Sequence, residues 1–460
     1  NLICPCWLMR LHSALDVMRG DVVAFIGAGG KTSTLTALGH ELFAQGWRVL
    51  ATTSTSITLE EMERLPHNMR YDSNPQRISA ALSQHGFVFL YDAIYDGRVY
   101  GPDVEWTRQL LDTIDSDVLL IEADNADGQP LKAPRDNEPA VPQEASLVVP
   151  MVSLNALEKP LDDVHIYNPQ AMIDKYGFYE GNAVSPPWIA QVLRDSELGL
   201  GGIPDRARVV AFINDTPDDQ YLRGKARLIA KLALKSKRLQ GVAIGSAENK
   251  NPIYEVQRTV GAIVLAAGQA SRMGEPKVLM PWTKRHSILE HIIQQLHRSR
   301  ISYINVVTGY YRDEVKAQAK RMGARPVHNR AFKTGEMLSS LKAGLRAMPD
   351  NVSATFVVLG DQPRIQPRVI YELLRAYAEG KGDLIAPSYN MRRGHPILIG
   401  RKYWAEFLAL PNYQSPRDVI NAHADDITYI TVNTDSVLRD VDTPEDYAAE
   451  RKRAGLSQRD

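Results

Sequence analysis

Short apolar runs alternate with longer amphipathic stretches along the whole chain. The runs lie at 47–54, 87–93, 117–124, 146–152 and 207–215 in the first half, and at 301–309, 354–361, 383–389 and 427–433 in the second. They are rich in β-branched and aliphatic residues, which is typical of strands buried on both faces of a parallel sheet. The pattern predicts an α/β protein with two three-layer α/β/α domains and mostly parallel sheets.

Two segments open in the same way, with an apolar strand, a glycine-rich turn and then a helical pattern. They span residues 22–46 and 261–282. This is the usual entry to a nucleotide-binding α/β domain. A polar, weakly periodic stretch at 246–260 separates the two halves. We therefore expect a disordered leader over 1–18, a first domain over 19–248, a linker over 249–259 and a second domain over 260–460.

Composition narrows the class of protein. The 460 residues are 44% hydrophobic and 23% charged, as in globular proteins, which excludes disorder as the main state. No apolar stretch reaches the roughly 18 residues that cross a bilayer, and two cysteines cannot build a disulfide framework. We expect a cytoplasmic protein with neither nucleic acid nor membrane as a partner.

The net charge of zero hides a difference between the halves. Residues 1–250 carry 24 Lys and Arg against 32 Asp and Glu, a net charge of −8, and residues 251–460 carry 30 against 22, a net charge of +8. This asymmetry indicates two domains with different tasks. A positive second half suits anionic substrates. The basic stretch at 223–239 has its charges at helical spacing and predicts the solvated face of an amphipathic helix.

The first glycine loop, GAGGKTS, predicts a phosphate site. Its candidate nucleotide-binding residues are Gly27, Gly29, Gly30, Lys31 and Thr32. Glycines let backbone N–H groups surround a phosphate, the following helix adds its positive end, and the hydroxyl of Thr32 can reach Mg²⁺. The loop is shorter than a standard P-loop, and a strand–turn–helix without a ligand is the alternative. ATP or GTP is the candidate ligand.

Acidic and hydroxyl residues follow neighbouring strands of the same half. Glu122 and Asp124 close the run at 117–124, where Glu122 is a candidate Mg²⁺ ligand together with Thr32. The hydroxyls of ATTSTS (51–56) could reach a metal or phosphate, and Lys132 lies in a loop rich in glycine and proline. The alternatives are loop caps, surface charges and an ordinary turn.

These motifs together carry a resemblance. The set GAGGKTS, VLATTS, IEADNADGQPLKAPRDNEPAVP and VVAFIND resembles the YqeC-type family of selenium-dependent hydroxylase accessory proteins over residues 19–245. Asn125 stands where that family usually has glycine. The resemblance implies a P-loop-like domain that handles a nucleotide.

The second glycine loop, LAAGQASRMGEPK, is the strongest signal in the chain. Its candidate nucleotide-binding residues are Leu265, Ala266, Ala267, Gly268, Arg272 and Lys277. Arg272 and Lys277 place a guanidinium fork and an ammonium group on one loop after one strand, where both can neutralise a triphosphate. We expect both to be catalytic.

Further candidates follow the later strands. Asp361 closes a strand in VVLGDQP and is a candidate Mg²⁺ ligand and catalytic residue, and Asp442 in DVDTPEDY is a second candidate ligand. The alternative for this segment is an N-cap box before a helix that starts near Pro444, with Thr443 as the cap, and both interpretations can hold at once. His395 and Ser340 are candidate substrate contacts, and the alternatives are a packed histidine and a capping serine.

The second half resembles the molybdenum cofactor cytidylyltransferase family, within the MobA-like nucleotidyltransferases of Rossmann-like fold. LAAG…RMG.PK, TGEMLSSLKAG, LGDQP, RGHP and DVDTPEDY carry this resemblance over 260–450. It implies transfer of CMP from CTP to the terminal phosphate of molybdopterin, with Mg²⁺ on Asp361 and Asp442. Ala270 departs from the family pattern, and so does the stretch 412–420, which keeps Arg417 but has Pro416 before it and lacks the family's glycine.

Two alternatives remain open from the sequence. One is nucleotidyl transfer to another phosphorylated acceptor, such as a sugar phosphate. The other is a non-catalytic maturation factor that binds the cofactor and a molybdenum hydroxylase apoenzyme, which is also the candidate protein partner of the enzyme.

Overall fold

The computed structural model describes residues 9–72, 74–103, 105–269, 276–334, 336–411 and 413–456. It divides into two compact units, Asn1–Arg258 and Thr259–Asp460. Both are layered α/β structures with mostly parallel sheets, as the apolar pattern predicts.

The first unit is built on a nine-stranded sheet and a smaller three-stranded sheet. Its strands are β1 Asp21–Gly27, β2 Val49–Thr53, β3 Ser56–Thr58, β4 Asn68–Arg70, β5 Phe87–Tyr91, β6 Ala93–Tyr95, β7 Arg98–Tyr100, β8 Val118–Glu122, β9 Leu147–Ser153, β10 Arg208–Asn214, β11 Gly241–Gly245 and β12 Ile253–Arg258. The large sheet has the order β12-β11-β10-β9-β1-β8-β2-β5-β4, and the small sheet has the order β3-β7-β6. Only the β11–β12 pair of the large sheet is antiparallel among the described strands.

Helices cover both faces of this sheet. They are α1 Leu11–Leu15, α2 Lys31–Ala44, α3 Leu59–Glu63, α4 Pro75–His85, α5 Trp106–Thr113, α6 Pro169–Tyr176, α7 Pro186–Arg194 and α8 Gln220–Ala233. Alternate residues of β1 enter two different cores: Val23 and Phe25 pack on one side, and Ala24 and Ile26 on the other. A strand whose two faces are both buried carries the unbroken apolar run seen in the sequence.

Two expectations at the ends of this unit are wrong. The leader predicted to be disordered contains α1, whose Leu11 and Leu15 are buried and whose first N–H groups donate to the carboxylate of Glu41 at 2.9 Å. Residues 1–8 lie outside the described part of the chain. The predicted linker over 249–259 contains β12, in which buried Glu255 is paired at 2.6 Å with Arg227 of α8. Because Glu255 interrupts the apolar run, the pattern of hydrophobic residues does not predict this strand.

The second unit has an eight-stranded sheet. Its strands are β13 Val260–Ala266, β14 Tyr303–Thr308, β15 Arg325–His328, β16 Ala354–Leu359, β17 Leu384–Tyr389, β18 Arg392–Arg393, β19 Ile397–Gly400 and β20 Ile427–Thr431. The order is β15-β14-β13-β16-β19-β17-β18, with β20 paired to β17. Strand β19 runs antiparallel to both of its neighbours. The carboxyl ends of β13, β14 and β16 therefore share one edge of the sheet.

The helices of this unit also lie on both faces. They are α9 Ile288–Arg298, α10 Arg312–Arg321, α11 Glu336–Arg346, α12 Pro367–Ala378, α13 Trp404–Ala409, α14 Pro416–Ala422 and α15 Pro444–Arg453. Ala262 and Val264 of β13 pack in one core and Ile263 in the other. Among the described residues of both units, no helix is long and apolar enough to cross a membrane.

Candidate functional sites

The first glycine loop is a rigid turn packed against two neighbouring strands. Gly27, Gly29 and Gly30 have φ angles of 82°, 81° and 90°, which only glycine adopts readily. A Cβ atom on Gly29 would lie 2.4 Å from the backbone nitrogen of Ser153, and one on Gly27 would lie 2.4 Å from the carbonyl oxygen of Met151. The glycines are therefore required both by the turn and by the close approach of β9.

Asn214 holds the same loop from β10. Its side-chain amide donates to the carbonyl oxygen of Gly29 at 3.0 Å and accepts from the N–H group of Ala247 at 2.9 Å. The sequence analysis placed Asn214 in a strand but gave it no role. Its position at a strand end beside an aspartate was the available signal.

Lys31 and Thr32 begin α2, and their side chains turn inward. The ammonium group of Lys31 donates to the carbonyl oxygen of Gly27 at 3.0 Å and lies 3.9 Å from the carboxylate of Glu122. The hydroxyl of Thr32 donates to Glu122 at 2.6 Å. Burial raises the pKa of Glu122 to about 7, although Lys31 and the Thr32 hydrogen bond act in the opposite direction.

Glu61 is a member of this site that the sequence analysis missed. One of its carboxylate oxygens lies 3.2 Å from the Thr32 hydroxyl, and the other accepts from the N–H group of Thr58 at 2.8 Å in a capping box of α3. Two carboxylates thus converge on one hydroxyl. Hard oxygen donors of this kind suit Mg²⁺ bound beside a nucleotide phosphate.

Asp124 and Lys132 form a buried ion pair that contacts the backbone of the first glycine loop. Asp124 accepts from the N–H group of Gly27 at 2.9 Å and pairs with Lys132 at 2.5 Å. Lys132 also pairs with Glu138 at 2.8 Å and lies over the ring of Tyr167. The side chain of Lys132 is 1% exposed. Lys132 therefore acts inside the protein, where it orients Asp124, rather than as a solvated loop residue.

The hydroxyls of the ATTSTS segment have internal partners. Thr52, Thr53 and Ser54 donate to the carbonyl oxygens of Leu90, Glu122 and Ala140. Ser56 alone of this segment lines the cavity above the glycine loop, which has a volume of about 660 Å³. Lys31, Thr32, Glu61, Arg98 and Glu122 line it too. The candidate phosphate-binding residues Lys31 and Thr32 and the carboxylates of Glu61 and Glu122 therefore line one cavity.

The second glycine loop begins where β13 ends. Leu265 and Ala266 close this strand, and Ala267 and Gly268 follow it. Gly309, after β14, lies so close that a Cβ atom on it would be 2.8 Å from the Cβ atom of Ala267. Arg272 lies outside the described residues, as does Ala270.

Lys277 forms an ion pair with a distant carboxylate. Its ammonium group lies 2.5 Å from Oδ1 of Asp442, and the side chains are 20% and 48% exposed. Asp442 precedes the capping box of α15, in which Thr443 is the N-cap. Asp442 itself does not cap the helix, because Thr443 and Asp446 form the box. Its carboxylate is left to face Lys277.

Asp361 lies beside this pair at the end of β16. Burial, together with the charges of Asp440 and Asp442, raises the pKa of Asp361 to about 6, although Lys277 acts in the opposite direction. The N–H group of Val441 donates to the backbone carbonyl of Asp361 at 2.9 Å, which holds the DVD segment against β16. The structure thus brings together the three residues Lys277, Asp361 and Asp442 that the sequence analysis singled out.

Asp440 is the carboxylate that the sequence analysis missed. It accepts from the side-chain amide of Gln362 at 2.6 Å and lines the same cavity as Asp361. Among the described residues, no group of three or more His, Cys, Asp or Glu side chains has the arrangement of a complete metal site. Paired carboxylates still fit Mg²⁺, which is usually held by one or two carboxylates together with substrate phosphates.

His395 lies in the wall of a cavity of about 670 Å³ that also contains Asp361 and Asp440. Burial, together with the charges of Arg393 and Arg417, lowers the pKa of His395 to about 4. The imidazole is therefore neutral near pH 7 and offers one N–H donor rather than a positive charge.

Ser340 is not at the cavity. It is buried in α11, where its hydroxyl accepts from the amide of Asn329 at 3.1 Å. The Ser340 hydroxyl thus has a partner in the segment that follows β15, and contact of Ser340 with substrate stays a prediction. A serine in an amphipathic helix gives no sequence signal that separates these two roles.

Comparison with known proteins agrees with this division. Residues 262–427 match the MobA-like NTP transferase domain, and residues 23–170 match the YqeC protein family. The second unit is a nucleotidyltransferase. More particularly, the chain joins a YqeC-type segment to a MobA-like NTP transferase domain, as the sequence motifs predict.

Individual relatives show the same two parts. The protein named uncharacterized protein YqeC of Escherichia coli is 28% identical over 206 residues, which are 43% of this chain and 76% of that protein. The molybdenum cofactor cytidylyltransferase of Escherichia coli is 27% identical over 195 residues, 42% of this chain and 96% of that protein. A solved structure, the Mycobacterium tuberculosis rv0371c homolog from Mycobacterium sp. strain JC1, is 25% identical, with a TM-score of 0.38, and covers 43% of this chain and 98% of its own.

Proposed function

We propose that the second unit transfers CMP from CTP to the terminal phosphate of molybdopterin and releases pyrophosphate. The observation that carries the proposal is the meeting of Lys277, Asp361 and Asp442 beside the end of β13, where the glycine loop begins. Groups that neutralise phosphates thus lie next to backbone that can bind them. The name of the cytidylyltransferase relative supports the choice of CTP and of acceptor.

The reaction needs positioning and charge neutralisation rather than a general base. An oxygen of the acceptor phosphate attacks the α-phosphorus of CTP, the new O–P bond forms, and the bond to the bridging oxygen breaks as pyrophosphate leaves. The attacking oxygen is already anionic, so no proton has to be removed. Lys277 stabilises the charge that develops on the leaving pyrophosphate, and Arg272 is its expected partner in that role.

Mg²⁺ would be held by Asp361 and Asp442, where it would reduce the charge of the triphosphate. In the structure Asp442 is neutralised by Lys277 at 2.5 Å. A bound cation would be held by the carboxylate of Asp442, and a triphosphate would be held by the ammonium group of Lys277, so both groups would gain new partners. The ion pair therefore keeps the two groups close to each other before substrate arrives.

The test is turnover by the full chain with Mg²⁺, molybdopterin, and CTP or GTP, scored for pyrophosphate and for the dinucleotide product. We expect both products with CTP and at least about tenfold less with GTP. Product formed with a sugar phosphate but not with molybdopterin would show that the acceptor is a different phosphorylated compound. Binding of CTP without release of pyrophosphate would favour the alternative function, a non-catalytic maturation factor.

We further propose that the first unit binds ATP or GTP and assists maturation of a molybdenum hydroxylase. The glycine loop with Lys31 and Thr32 below a 660 Å³ cavity supports the nucleotide, and Thr32, Glu61 and Glu122 supply oxygen donors for Mg²⁺. Equilibrium binding of ATP and GTP, with and without Mg²⁺, tests this. If neither ATP nor GTP bound measurably, the proposal that this unit binds a nucleotide would be wrong.

A further inference from the structure

The cavity above the first glycine loop extends to both sides of β1. Glu122 closes β8, which is the neighbour of β1 on one side, and Glu61 lies further along the same side, after β2 and β3. On the other side, Ala247 and Glu248 line the cavity from the turn after β11, which is the third strand from β1. The candidate metal ligands and the β11 turn therefore bound opposite ends of one cavity.

This arrangement gives a bound nucleotide one direction. Its phosphates would bind at the glycine loop and the start of α2, and the metal beside Thr32 and Glu122 would be shared by the outer phosphates. The nucleoside would then extend away from the metal ligands, towards the turn after β11. The base would thus lie beside Ala247 and Glu248.

The turn after β11 is held at a fixed distance from the phosphate loop. The side chain of Asn214 donates to the carbonyl oxygen of Gly29 at 3.0 Å and accepts from the N–H group of Ala247 at 2.9 Å, so one residue bonds to both segments. The N–H group of Ser246 also donates to the carbonyl oxygen of Pro252 at 2.8 Å. The protein itself therefore sets the spacing between phosphates and base.

Glu248 presents a carboxylate at this end of the cavity. One of its oxygens accepts from the hydroxyl of Ser33, in the first turn of α2, at 2.9 Å. The side chain is exposed, and its other oxygen has no hydrogen-bond donor in the part of the chain that the structure describes. Beside it, the wall consists of the small side chains of Ala37 and Ala247, which leave room for a flat ring.

A carboxylate distinguishes the nucleobases by their hydrogen-bonding edges. Guanine has two adjacent donors, N1–H and the 2-amino group, which match the two oxygens of a carboxylate. Adenine has one donor, the 6-amino group, next to the lone pair of N1, which a carboxylate repels. Cytosine has the same pattern as adenine, and uracil has one N–H group between two carbonyl oxygens. Guanine is therefore the base that a carboxylate at this place favours.

We propose that Glu248 binds the donor edge of guanine and makes the site of the first unit selective for GTP over ATP. The proposal rests on nucleotide binding as the proposed function of this unit, and it narrows that function to one of the two candidate nucleotides. Ser33 is the positioning residue, because its hydroxyl holds one oxygen of the carboxylate.

The experiment is titration calorimetry of the full chain with Mg²⁺ and with excess CTP, which would occupy the proposed site of the second unit. The probes are GTP, ATP and ITP, whose base lacks the 2-amino group of guanine. We expect GTP to bind at least about tenfold more tightly than ATP, and ITP to bind about three- to tenfold more weakly than GTP. Equal binding of GTP and ATP, or tighter binding of ATP, would overturn the proposal.

Glu248→Gln should lower the ratio of GTP affinity to ATP affinity about tenfold. The same variant should bind XTP about tenfold more tightly than the wild-type chain does, because xanthine has a carbonyl oxygen in place of the 2-amino group and an amide can donate to it. Unfolding of the variant cannot produce such a gain. Glu180→Gln is the matched control, because Glu180 is an exposed glutamate of the same unit that does not line the cavity. A GTP preference in Glu248→Gln equal to that of the control would overturn the role of Glu248.

The outcomes separate this proposal from the proposed function. If GTP and ATP bind equally, the nucleotide site stands and its selectivity is wrong. If neither binds, the nucleotide site itself is wrong, and the selectivity is wrong with it. Lys31→Ala adds a contrast, because a lysine that contacts phosphates should weaken GTP and ATP by the same factor, whereas Glu248→Gln should change the ratio between them.

Discussion

The two glycine loops of this chain hold their lysines in different ways. Lys31 bonds to the backbone of its own loop, at Gly27, and its side chain is 6% exposed. Lys277 bonds to Asp442, 165 residues further along the chain, and its side chain is 20% exposed. The first loop is complete within one short sequence, whereas the second is assembled from two distant segments.

The difference shows what each lysine gives up when a nucleotide binds. Under the proposed function Lys31 would exchange a neutral carbonyl, together with the more distant carboxylate of Glu122 at 3.9 Å, for a phosphate, and the glycine turn around it is held by β9 and β10. Lys277 would exchange a carboxylate at 2.5 Å for a phosphate, which would free that carboxylate for a cation. Binding of nucleotide and of metal should therefore be linked more strongly in the second unit than in the first.

The largest expected effect comes from the rigid turn of the first loop. Gly29→Ala should destabilise the first unit by about 3 kcal/mol or more, because the new Cβ atom would meet Ser153 at 2.4 Å in a backbone with φ of 81°. Urea unfolding measures it. Gly46→Ala is the control, with φ of 79° and nothing within 4 Å, and should cost only about 1–2 kcal/mol. Equal costs would show that the packing on β9 is unimportant.

The second largest loss of stability is expected from Lys132, which holds Asp124 against the first glycine loop. Lys132→Met should cost about 3 kcal/mol, because Asp124 and Glu138 lose a buried partner. Lys175→Met is the control: Lys175 also bridges two carboxylates, but its side chain is 29% exposed, so we expect about 1 kcal/mol or less. Thermal unfolding compares them, and a smaller loss for Lys132→Met would contradict the role assigned to it.

In the second unit the effect should be on turnover rather than stability. Asp361→Asn and Lys277→Ala should each lower the rate of pyrophosphate release at least about tenfold, because both remove charge stabilisation from the transition state. Lys320→Ala, an exposed residue of α10, serves as the control. Wild-type rates from both variants would remove these residues from the site.

The smallest effect should come from the lysine that already has a backbone partner. Lys31→Ala should weaken ATP or GTP binding about fivefold, since part of the ammonium–phosphate gain is offset by the lost bond to Gly27. Pyrophosphate release by the second unit should stay within about twofold of wild type. Nucleotide binding measured by calorimetry and turnover measured on the same preparation check both parts, and a large fall in turnover would show that the two sites are coupled.

The sequence predicts the central strands well. Val118–Glu122 and Ala354–Leu359, for example, fall within the predicted runs because both faces of these strands are buried and most of their residues are apolar. It does not predict β12, in which Glu255 is buried with Arg227 as its partner, or the antiparallel direction of β19. Pair formation and strand direction depend on contacts that a local pattern does not contain.

In the candidate sites, too, the sequence predicts residues that lie within one local segment and misses those that are brought in by distant contacts. Residues on the glycine loops were predictable because the turn and the chemistry lie in one short segment. Glu61 and Asp440 come from elsewhere in the sequence and join the sites only through folding. For Asp440 a signal existed: it stands two residues before Asp442, and alternate residues of an extended segment share a face.

Strand β12 also settles where the chain can be divided. Arg258 ends the last strand of the first sheet and Val260 begins the first strand of the second, so a single residue separates them. A fragment ending at 248 would leave β11 with a row of unpaired N–H and C=O groups, which is a template for aggregation. In the intact chain β12 covers that row, and Met9 in turn pairs with Ile253 of β12. Strand β12 and the residues around Met9, which the sequence predicts to be a linker and a leader, thus cover a strand edge that would otherwise favour aggregation.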